Sequence, residues 1–305
     1  MTARLAGIAR VSVWVLLAAG LAPAVSAQPI GSASRIDFDR PESWAMKYFV
    51  SVGLLAATPA PQGGAGSVSF GGELVALPGL TTAQQRVGFN GTAQENLNLA
   101  PFFARPRVTV GLPARLAVTV AGVPPVHLFS ITPRLLSLGI DRTLVRSPAW
   151  TWTARLHGQL GSVTGAITCP PGVVAQAPGS DANRRGCDSL SSDRASLRYL
   201  AAELDATRRI GASSPLALRG SFALTYMDTV FQTNAHTFGF LDRTRLATRG
   251  MTTALGADVL WQAGARTSLG LGLLFAPLRI ERPGSAGRTF DSLLTARAIL
   301  VYRLR

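Results

Sequence analysis

The sequence predicts an all-β protein, an antiparallel transmembrane β-barrel of about ten strands. First, segments in which apolar and polar residues alternate recur along the chain, and they exceed the roughly five or six residues of an average strand. Second, only 15% of the 305 residues are charged, against about 25% in soluble proteins, yet beyond the N-terminus no run of about 20 apolar residues suggests a membrane helix. Third, the connectors between segments alternate between short and long, as in hairpins that cross a membrane.

Residues 1–27 are predicted to be a secretory signal peptide. Arg4 and Arg10 form a basic region, Val11 to Leu21 form a short apolar core, and Val25-Ser26-Ala27 offers small residues for cleavage. A membrane anchor helix is the alternative, but the apolar stretch is short for one. We therefore expect export and cleavage.

The clearest predicted strand runs from Trp150 to Leu160. Trp150 and Trp152 point to one face, whereas Arg155 and His157 point to the other. Burying these two polar side chains in a dry sandwich core would be costly, and a wet lumen accommodates them. Similar alternation predicts ten strands, at 47–57, 104–112, 115–123, 133–142, 150–160, 196–209, 216–226, 251–262, 266–280 and 294–304.

The domain organisation follows from these strands. Residues 28–46 are predicted to be an irregular periplasmic lead-in, and residues 47–305 to be the barrel. Within it, 58–103 is the least regular region and holds one further candidate strand at 66–76. Because a single-chain bacterial barrel has an even number of strands, this region is either a long loop, folded inward as a plug or not, or a hidden hairpin that raises the count to twelve. Ten is favoured.

The connectors orient the predicted barrel. Tight turns at 111–115, 210–214 and 262–266 are expected at the periplasmic end, and the long connectors are expected at the outer end. The longest of them, 162–195, contains the only two cysteines, Cys169 and Cys187. In an exported protein such a pair predicts a disulfide. Metal binding is the alternative, but no histidine or third cysteine lies nearby in sequence.

The whole pattern resembles that of bacterial outer-membrane β-barrel proteins, a broad class within which no subfamily is indicated. Members usually end in an aromatic residue, whereas this chain ends Val301-Tyr302-Arg303-Leu304-Arg305. The resemblance implies an outer-membrane location, contact with lipid and lipopolysaccharide, and insertion by the barrel-assembly machinery. Aromatic residues on apolar faces near strand ends are predicted to form the interfacial girdle: Trp150, Trp152, Tyr226, Trp261 and Tyr302.

The polar faces of the predicted strands place charged side chains in the lumen. The basic set is Arg105, Arg107, Arg115, Arg155, His157, Arg219, Arg297 and Arg303. The acidic set is Asp141, Glu203, Asp205 and Asp258. These side chains either brace the interior through ion pairs and hydrogen bonds, or form a basic passage that favours anions.

Two functions are compatible with this sequence. The first is a narrow channel or uptake pore for small anionic or amphiphilic solutes, with the Asn- and Gln-rich stretch Gln84 to Pro106 as either an inner hatch or an exposed loop. The second is a non-conducting barrel that acts through its long outer loops. A hydrolase is disfavoured because the three histidines, His127, His157 and His236, belong to no recognisable catalytic motif.

The remaining expectations concern partners. We expect no enzymatic activity, no cofactor and no metal site, since no cluster of metal ligands or phosphate-binding glycine motif occurs. Nucleic acid is suggested only by the sequence pI of about 11.4, and the export signal argues against it. A monomer is expected.

Overall fold

The computed structural model describes residues 33–58, 64–127, 129–211, 213–285 and 287–304. The predicted signal peptide lies outside these ranges. Ten strands dominate the fold: β1 (Val68–Ala76), β2 (Phe102–Leu112), β3 (Leu116–Val123), β4 (Ile131–Arg146), β5 (Trp150–Gly165), β6 (Asp193–Arg209), β7 (Leu216–Gln232), β8 (Arg245–Gln262), β9 (Thr267–Ala276) and β10 (Leu293–Arg303). Within the described ranges, no helix has both the length and the apolar character that a membrane crossing requires.

The ten strands close into an up-and-down barrel. Each strand pairs in antiparallel fashion with the next in sequence. The seam joins β1 to β10, in register from Ser69 opposite Arg303 to Ala76 opposite Ala296. The predicted fold class and the favoured strand number are therefore confirmed. We call the end with the short connections the turn end and the opposite end the loop end.

The predicted strand at 47–57 is wrong, because residues 47–52 belong to helix α1 (Pro41–Val52) and residues 53–57 form neither helix nor strand. Pro at the first helical position and Glu42 in the first turn suit a helix start. The helix lies inside the loop end and is buried on almost every side, so its sequence lacks the polar stripe that would show a helical period.

The tenth strand is instead β1, the weak candidate at 66–76. Gly71 and Gly72 interrupt its alternation. Gly71 faces the neighbouring strand β10 so closely that a Cβ there would overlap the carbonyl oxygen of Leu300. Close packing at the seam thus removes the side chain that would have marked the strand.

The barrel wall is uneven in height. Strands β4 to β8 have 16 to 18 residues, whereas β9, β10, β1, β2 and β3 have 8 to 11. Above the low side, α1 packs with the connectors 77–101 and 277–292 into an apolar cap. Its buried core includes Trp44, Tyr48, Leu80, Leu97, Leu99, Leu278, Ile280 and Leu293.

The cap changes two expectations. The segment Gln84 to Pro106 is neither a fully exposed loop nor a hatch across the lumen, because Leu97 and Leu99 within it are buried in the cap. The irregular periplasmic lead-in predicted at 28–46 also differs in its described part, because residues 41–46 begin helix α1. Residues Ala33–Arg35 pair in parallel with β8 at the loop end, from Ala33 opposite Arg245 to Arg35 opposite Ala247. The free edge of the tall strand β8 above the shorter β9 supplies the pairing site.

The outer face carries an apolar band of membrane height. All five predicted girdle residues lie on this face and are 40 to 46% exposed. Trp261 lies opposite Leu216 at the turn end of β7, and Tyr226 lies further along the same strand. The ten residue steps from Leu216 to Tyr226 span about 33 Å along the strand and about 25 Å along the membrane normal at the usual tilt.

The predicted disulfide is confirmed: Cys169 and Cys187 are bonded, 18 residues apart in sequence. Both are buried at the loop end beside Ala235. Asn183 fixes the connector further, since its side-chain oxygen accepts from the Cys187 backbone N–H and its amide donates to the carbonyl of Gln176.

Replacing both cysteines by serine should loosen this connector without opening the barrel. Removing a cross-link over a loop of this size releases unfolded-chain entropy worth about 3 kcal/mol. We expect limited proteolysis to cut between residues 169 and 187 faster than in the oxidised wild type. The heat-dependent gel migration of the barrel should be unchanged, and equal cleavage rates in the two proteins would contradict the stapling role.

Candidate functional site

The middle of the barrel is filled by its own chain. After α1 ends, residues 53–58, which we call the clamp segment, continue along the lumen without regular secondary structure. Backbone polar groups buried away from water need hydrogen-bond partners. Here the barrel wall supplies them.

Four arginines of the wall donate to carbonyl groups of the clamp segment. Arg105 Nη1 lies 2.9 Å from the Gly53 oxygen, and its Nη2 lies 3.1 Å from the Leu54 oxygen. The other three contacts join Arg155 to Leu55 at 2.7 Å, Arg107 to Ala56 at 2.6 Å and Arg219 to Thr58 at 3.1 Å. A guanidinium presents five donors in a fixed plane, which suits a row of carbonyl acceptors.

The segment also donates to the wall. The backbone N–H of Leu55 lies 2.8 Å from the hydroxyl oxygen of Tyr199, a buried residue of β6. His157 contacts the same hydroxyl through Nδ1 at 3.3 Å and Glu203 through Nε2 at 3.1 Å. His157 is thus part of the wall that holds the clamp segment, whereas His127 and His236 are exposed near the loop end.

Each clamping arginine also meets a carboxylate. Arg105 and Arg107 share Glu73 of β1, at 2.9 and 3.7 Å. The remaining ion pairs involve the predicted acidic residues: Arg155 with Asp141 at 2.9 Å and with Glu203 at 3.2 Å, Arg219 with Asp258 at 3.0 Å, and Arg297 with Asp258 at 3.5 Å.

Glu73 is the residue that the sequence analysis missed. It is 1% exposed and carries the contacts of two arginines. Its strand was the uncertain candidate at 66–76, so no inward face could be assigned there. A signal was nevertheless present. Gly71, Glu73 and Val75 alternate onto one face of the strand, and Glu73 is a lone carboxylate among apolar residues.

Two of the predicted lumenal arginines lie elsewhere. Arg115 is exposed in the turn between β2 and β3, with a positive φ of 59°. The turn conformation, rather than the alternation of β3, sets the direction of its side chain. Arg303 is the last residue of β10 and is half-buried at the turn end. Neither contributes to the interior cluster.

The charges of the interior balance. In the middle of the barrel, the buried wall residues include five arginines, Arg105, Arg107, Arg155, Arg219 and Arg297, and five carboxylic acids, Glu73, Asp141, Glu203, Asp205 and Asp258. A sixth buried carboxylate, Asp193, lies at the loop end of β6 and accepts from the backbone N–H groups of Ile167 and Thr168. A passage that concentrates anions requires a net positive potential. Equal numbers of opposite charges, most of them in ion pairs, do not provide it. In this structure, four of the five arginines instead hold the clamp segment by hydrogen bonds.

A cavity of about 660 Å³ lies at the loop end, above the clamp segment. Its lining comes from α1, the 87–97 part of the cap, the disulfide connector and the tops of β7 and β8. Apolar side chains dominate, among them Met46, Phe49, Leu97, Ile167 and Phe231. Its volume is typical of small-molecule sites, which are mostly apolar with a few polar groups.

Polar groups and strained aromatics mark the opening of this cavity. Arg185 forms an ion pair with Glu95, and its guanidinium stacks 5.1 Å from the centre of the Phe89 ring. Burial raises the pKa of the Glu95 carboxyl, although Arg185 beside it acts in the opposite direction. Phe89 and Phe238 have φ values of 46° and 49° and are 69 and 57% exposed. Such left-handed conformations cost about 1 to 3 kcal/mol each and tend to mark functional sites.

Helix α1, which lines one side of the cavity through Met46 and Phe49, is anchored to the rest of the cap. Lys47 on α1 is buried, donates to the carbonyl of Arg279 at 2.5 Å and lies 3.6 Å from Asp39. Burial lowers its pKa to about 8, an effect that the Asp39 carboxylate partly offsets. A second cavity of about 540 Å³ opens at the turn end, beside Arg146 and Arg209. The clamp segment and its arginines lie between the two cavities.

The described ranges contain no group of three metal-ligating side chains. No protein-family model matches the chain, and no curated protein sequence matches it. Solved structures of similar fold include Ail, the attachment invasion locus protein of Yersinia pestis, at 10% identity and a TM-score of 0.30, over 79% of this chain and 99% of that one. The outer membrane protease OmpT of Escherichia coli has 10% identity and a TM-score of 0.35, over 78 and 94%. The toluene transporter TodX of Pseudomonas putida has 10% identity and a TM-score of 0.32, over 82 and 71%.

These likenesses concern the β-barrel fold alone. Their names refer to attachment, proteolysis and transport, so they do not favour one activity over another. That the chain is not an enzyme therefore stays a prediction.

Proposed function

We propose, on the premise that this chain is by fold a bacterial outer-membrane β-barrel, that it captures a small hydrophobic or amphiphilic solute from outside the cell in its loop-end cavity. The observation that carries the proposal is the apolar cavity of about 660 Å³. Export by cleavage after Ala27, insertion by the barrel-assembly machinery and a monomeric state belong to the same proposal.

The filled lumen argues against a permanently open pore. Arg105 in the centre is fully buried, and so are the carbonyl groups that it contacts. Onward uptake of a bound solute would require the clamp segment to leave its arginines. In the arrangement seen here the barrel is a receptor with a closed lumen, which we expect to be silent in planar bilayers.

The chemistry of the cavity favours a largely apolar solute. Phe49, Phe231 and Leu97 offer dispersion contacts and apolar area. The charged groups at the opening, Arg185 and Glu95, neutralise each other, so they can orient one polar group of a solute without selecting anions.

Binding of the fluorescent hydrophobic probe N-phenyl-1-naphthylamine to the purified protein in detergent tests this proposal. We expect one saturable site. Ala93, which lines the cavity, is changed to phenylalanine to fill it, and we expect about tenfold weaker binding because the probe loses its space.

The matched control is Ala202→Phe, the same change on the exposed outer face of β6. It should bind the probe as the wild type does. Absence of saturable binding in the wild type, or equal binding by the Ala93 and Ala202 variants, would refute the cavity as the site.

A second candidate is the non-conducting barrel that acts through its outer loops. The observation favouring it is a group of exposed apolar residues that neighbour one another on the connector between β7 and β8, Phe238, Phe240 and Leu241, which are 57, 75 and 40% exposed. Apolar residues on exposed loops mark interaction surfaces when they are contiguous. Failure of probe binding together with a folded, silent barrel would favour this candidate.

A further inference from the structure

The outer face of the tall strands changes character abruptly at the loop end. Leu200, Tyr226 and Met251 lie side by side on β6, β7 and β8 and are 53, 41 and 55% exposed. The next outward residues on the same strands, two positions toward the loop end, are Arg198, Asp228 and Arg249, which are again in register with one another.

Further arginines continue this charged surface. Arg194 and Arg245 flank Gln232 on the same three strands, four residues beyond the row of Arg198, Asp228 and Arg249. Arg134 faces outward on β4, opposite Ser162 of β5. Together they form an outward-facing patch, here called the arginine patch: Arg134, Arg194, Arg198, Arg245 and Arg249.

The arginine patch is not neutralised by the protein. All five side chains are exposed, and the described residues hold none of them in an ion pair. Asp228 is the one carboxylate within its rows. This contrasts with the middle of the barrel, where arginines and carboxylates balance, so the excess positive charge of the patch is free to interact with groups outside the protein.

The position of the arginine patch along the membrane normal indicates which kind of molecule it contacts. The row of Leu200, Tyr226 and Met251 ends the apolar band, so the arginines that follow stand at the level of lipid headgroups in the leaflet on the loop side. Adjacent strands are about 4.8 Å apart, which separates Arg198 from Arg249 by about 10 Å. Guanidinium groups bind phosphate oxygens in bidentate fashion.

We propose that the arginine patch binds the phosphate groups of lipopolysaccharide in the outer leaflet, with acyl chains lying along Leu200, Tyr226 and Met251. The inference rests on the outer-membrane location in the proposed function and is independent of the loop-end cavity. The partner of this surface is a phosphorylated glycolipid, so it is chemically distinct from the solute in the cavity.

Thermal unfolding of the purified, lipopolysaccharide-free protein tests the proposal, with and without added lipopolysaccharide. A lipid that binds only the folded barrel raises the unfolding temperature in proportion to its occupancy. We expect a rise for the wild type, and an apparent affinity about tenfold lower for the triple variant Arg134→Gln, Arg198→Gln, Arg249→Gln.

The matched control is the double variant Arg142→Gln, Arg208→Gln. These arginines also face outward and are exposed, but they lie at the turn end of β4 and β6. The control should respond to lipopolysaccharide as the wild type does. Lysine at the three patch positions should restore part of the affinity, because charge is kept while bidentate geometry is lost.

Three outcomes would overturn the proposal. These are an unchanged response in the folded triple variant, an equal loss in the turn-end control, and an equal rise of the wild type with phosphatidylglycerol vesicles, which offer phosphate on a different lipid. Heat-dependent gel migration verifies that each variant is folded. Binding of the naphthylamine probe by the triple variant separates this result from failure of the cavity proposal.

Discussion

Replacing Glu73 by glutamine is expected to destabilise the folded barrel by about 3 to 5 kcal/mol, the usual cost of removing one partner from a buried ion pair. Glu73 is the carboxylate that Arg105 and Arg107 share, and all three side chains are at most 3% exposed. Without it, two guanidinium groups remain buried with one counter-charge fewer. The free energy of unfolding in urea, measured in lipid vesicles, gives the result directly.

The control for this prediction is Glu281→Gln. Glu281 is 58% exposed and lies 3.8 Å from Arg288, so its loss should change stability by about 0.5 kcal/mol or less. A double variant with Arg107→Gln tests the mechanism, because it removes the uncompensated charge and should recover part of the loss. Wild-type stability in the Glu73 variant would contradict the electrostatic role.

Removing residues 41–58 is expected to turn a silent barrel into a conducting one. This segment comprises α1 and the clamp segment, whose carbonyls occupy the arginines in the middle of the lumen. Once it is gone, ten charged wall residues line the space and water can enter, as in wider barrels with polar interiors. Single-channel recording in planar bilayers should show discrete current steps, whereas the wild type should show none.

The matched control shortens a part of the chain outside the lumen, residues 171–182 of the disulfide connector. This variant keeps both cysteines and should stay silent. Gel migration before and after heating establishes that both shortened proteins are folded. A folded but silent barrel without residues 41–58 would mean that the wall side chains close the lumen by themselves.

The sequence predicts those strands whose two faces lie in different environments, one facing lipid and the other facing the lumen. Strand β5 alternates because Trp152 meets lipid and Arg155 meets the lumen, and the same contrast marks most of the wall. Helix α1 is surrounded by protein on nearly all sides. Its apolar residues, such as Trp44, Tyr48 and Val50, therefore do not recur with the helical period of about 3.6 residues. The strand predicted at 47–57 rests on a short stretch of alternation, which a helix buried on nearly all sides can also contain.

The sequence predicts which charged side chains point into the barrel, but it does not predict that they bind the backbone of the clamp segment. The inward parity of Arg105, Arg155 and Arg219 follows from alternation in their strands. Their carbonyl partners in the clamp segment do not, because a backbone acceptor leaves no mark on the sequence. Whether the arginines bind solute or backbone depends on where residues 53–58 lie, and that depends on the space inside the closed barrel.

The seam between β1 and β10 has a consequence for the order of assembly. It joins the first strand to the last, so the ring can close only after the whole chain has been made. The clamp segment precedes β1 and ends inside that ring, with Arg219 of β7 holding Thr58. An open, curved sheet can receive this segment sideways, whereas a finished barrel would have to admit it end first through a lumen already crowded with side chains. We therefore expect the clamp segment to bind its arginines on the open sheet before the seam between β1 and β10 forms.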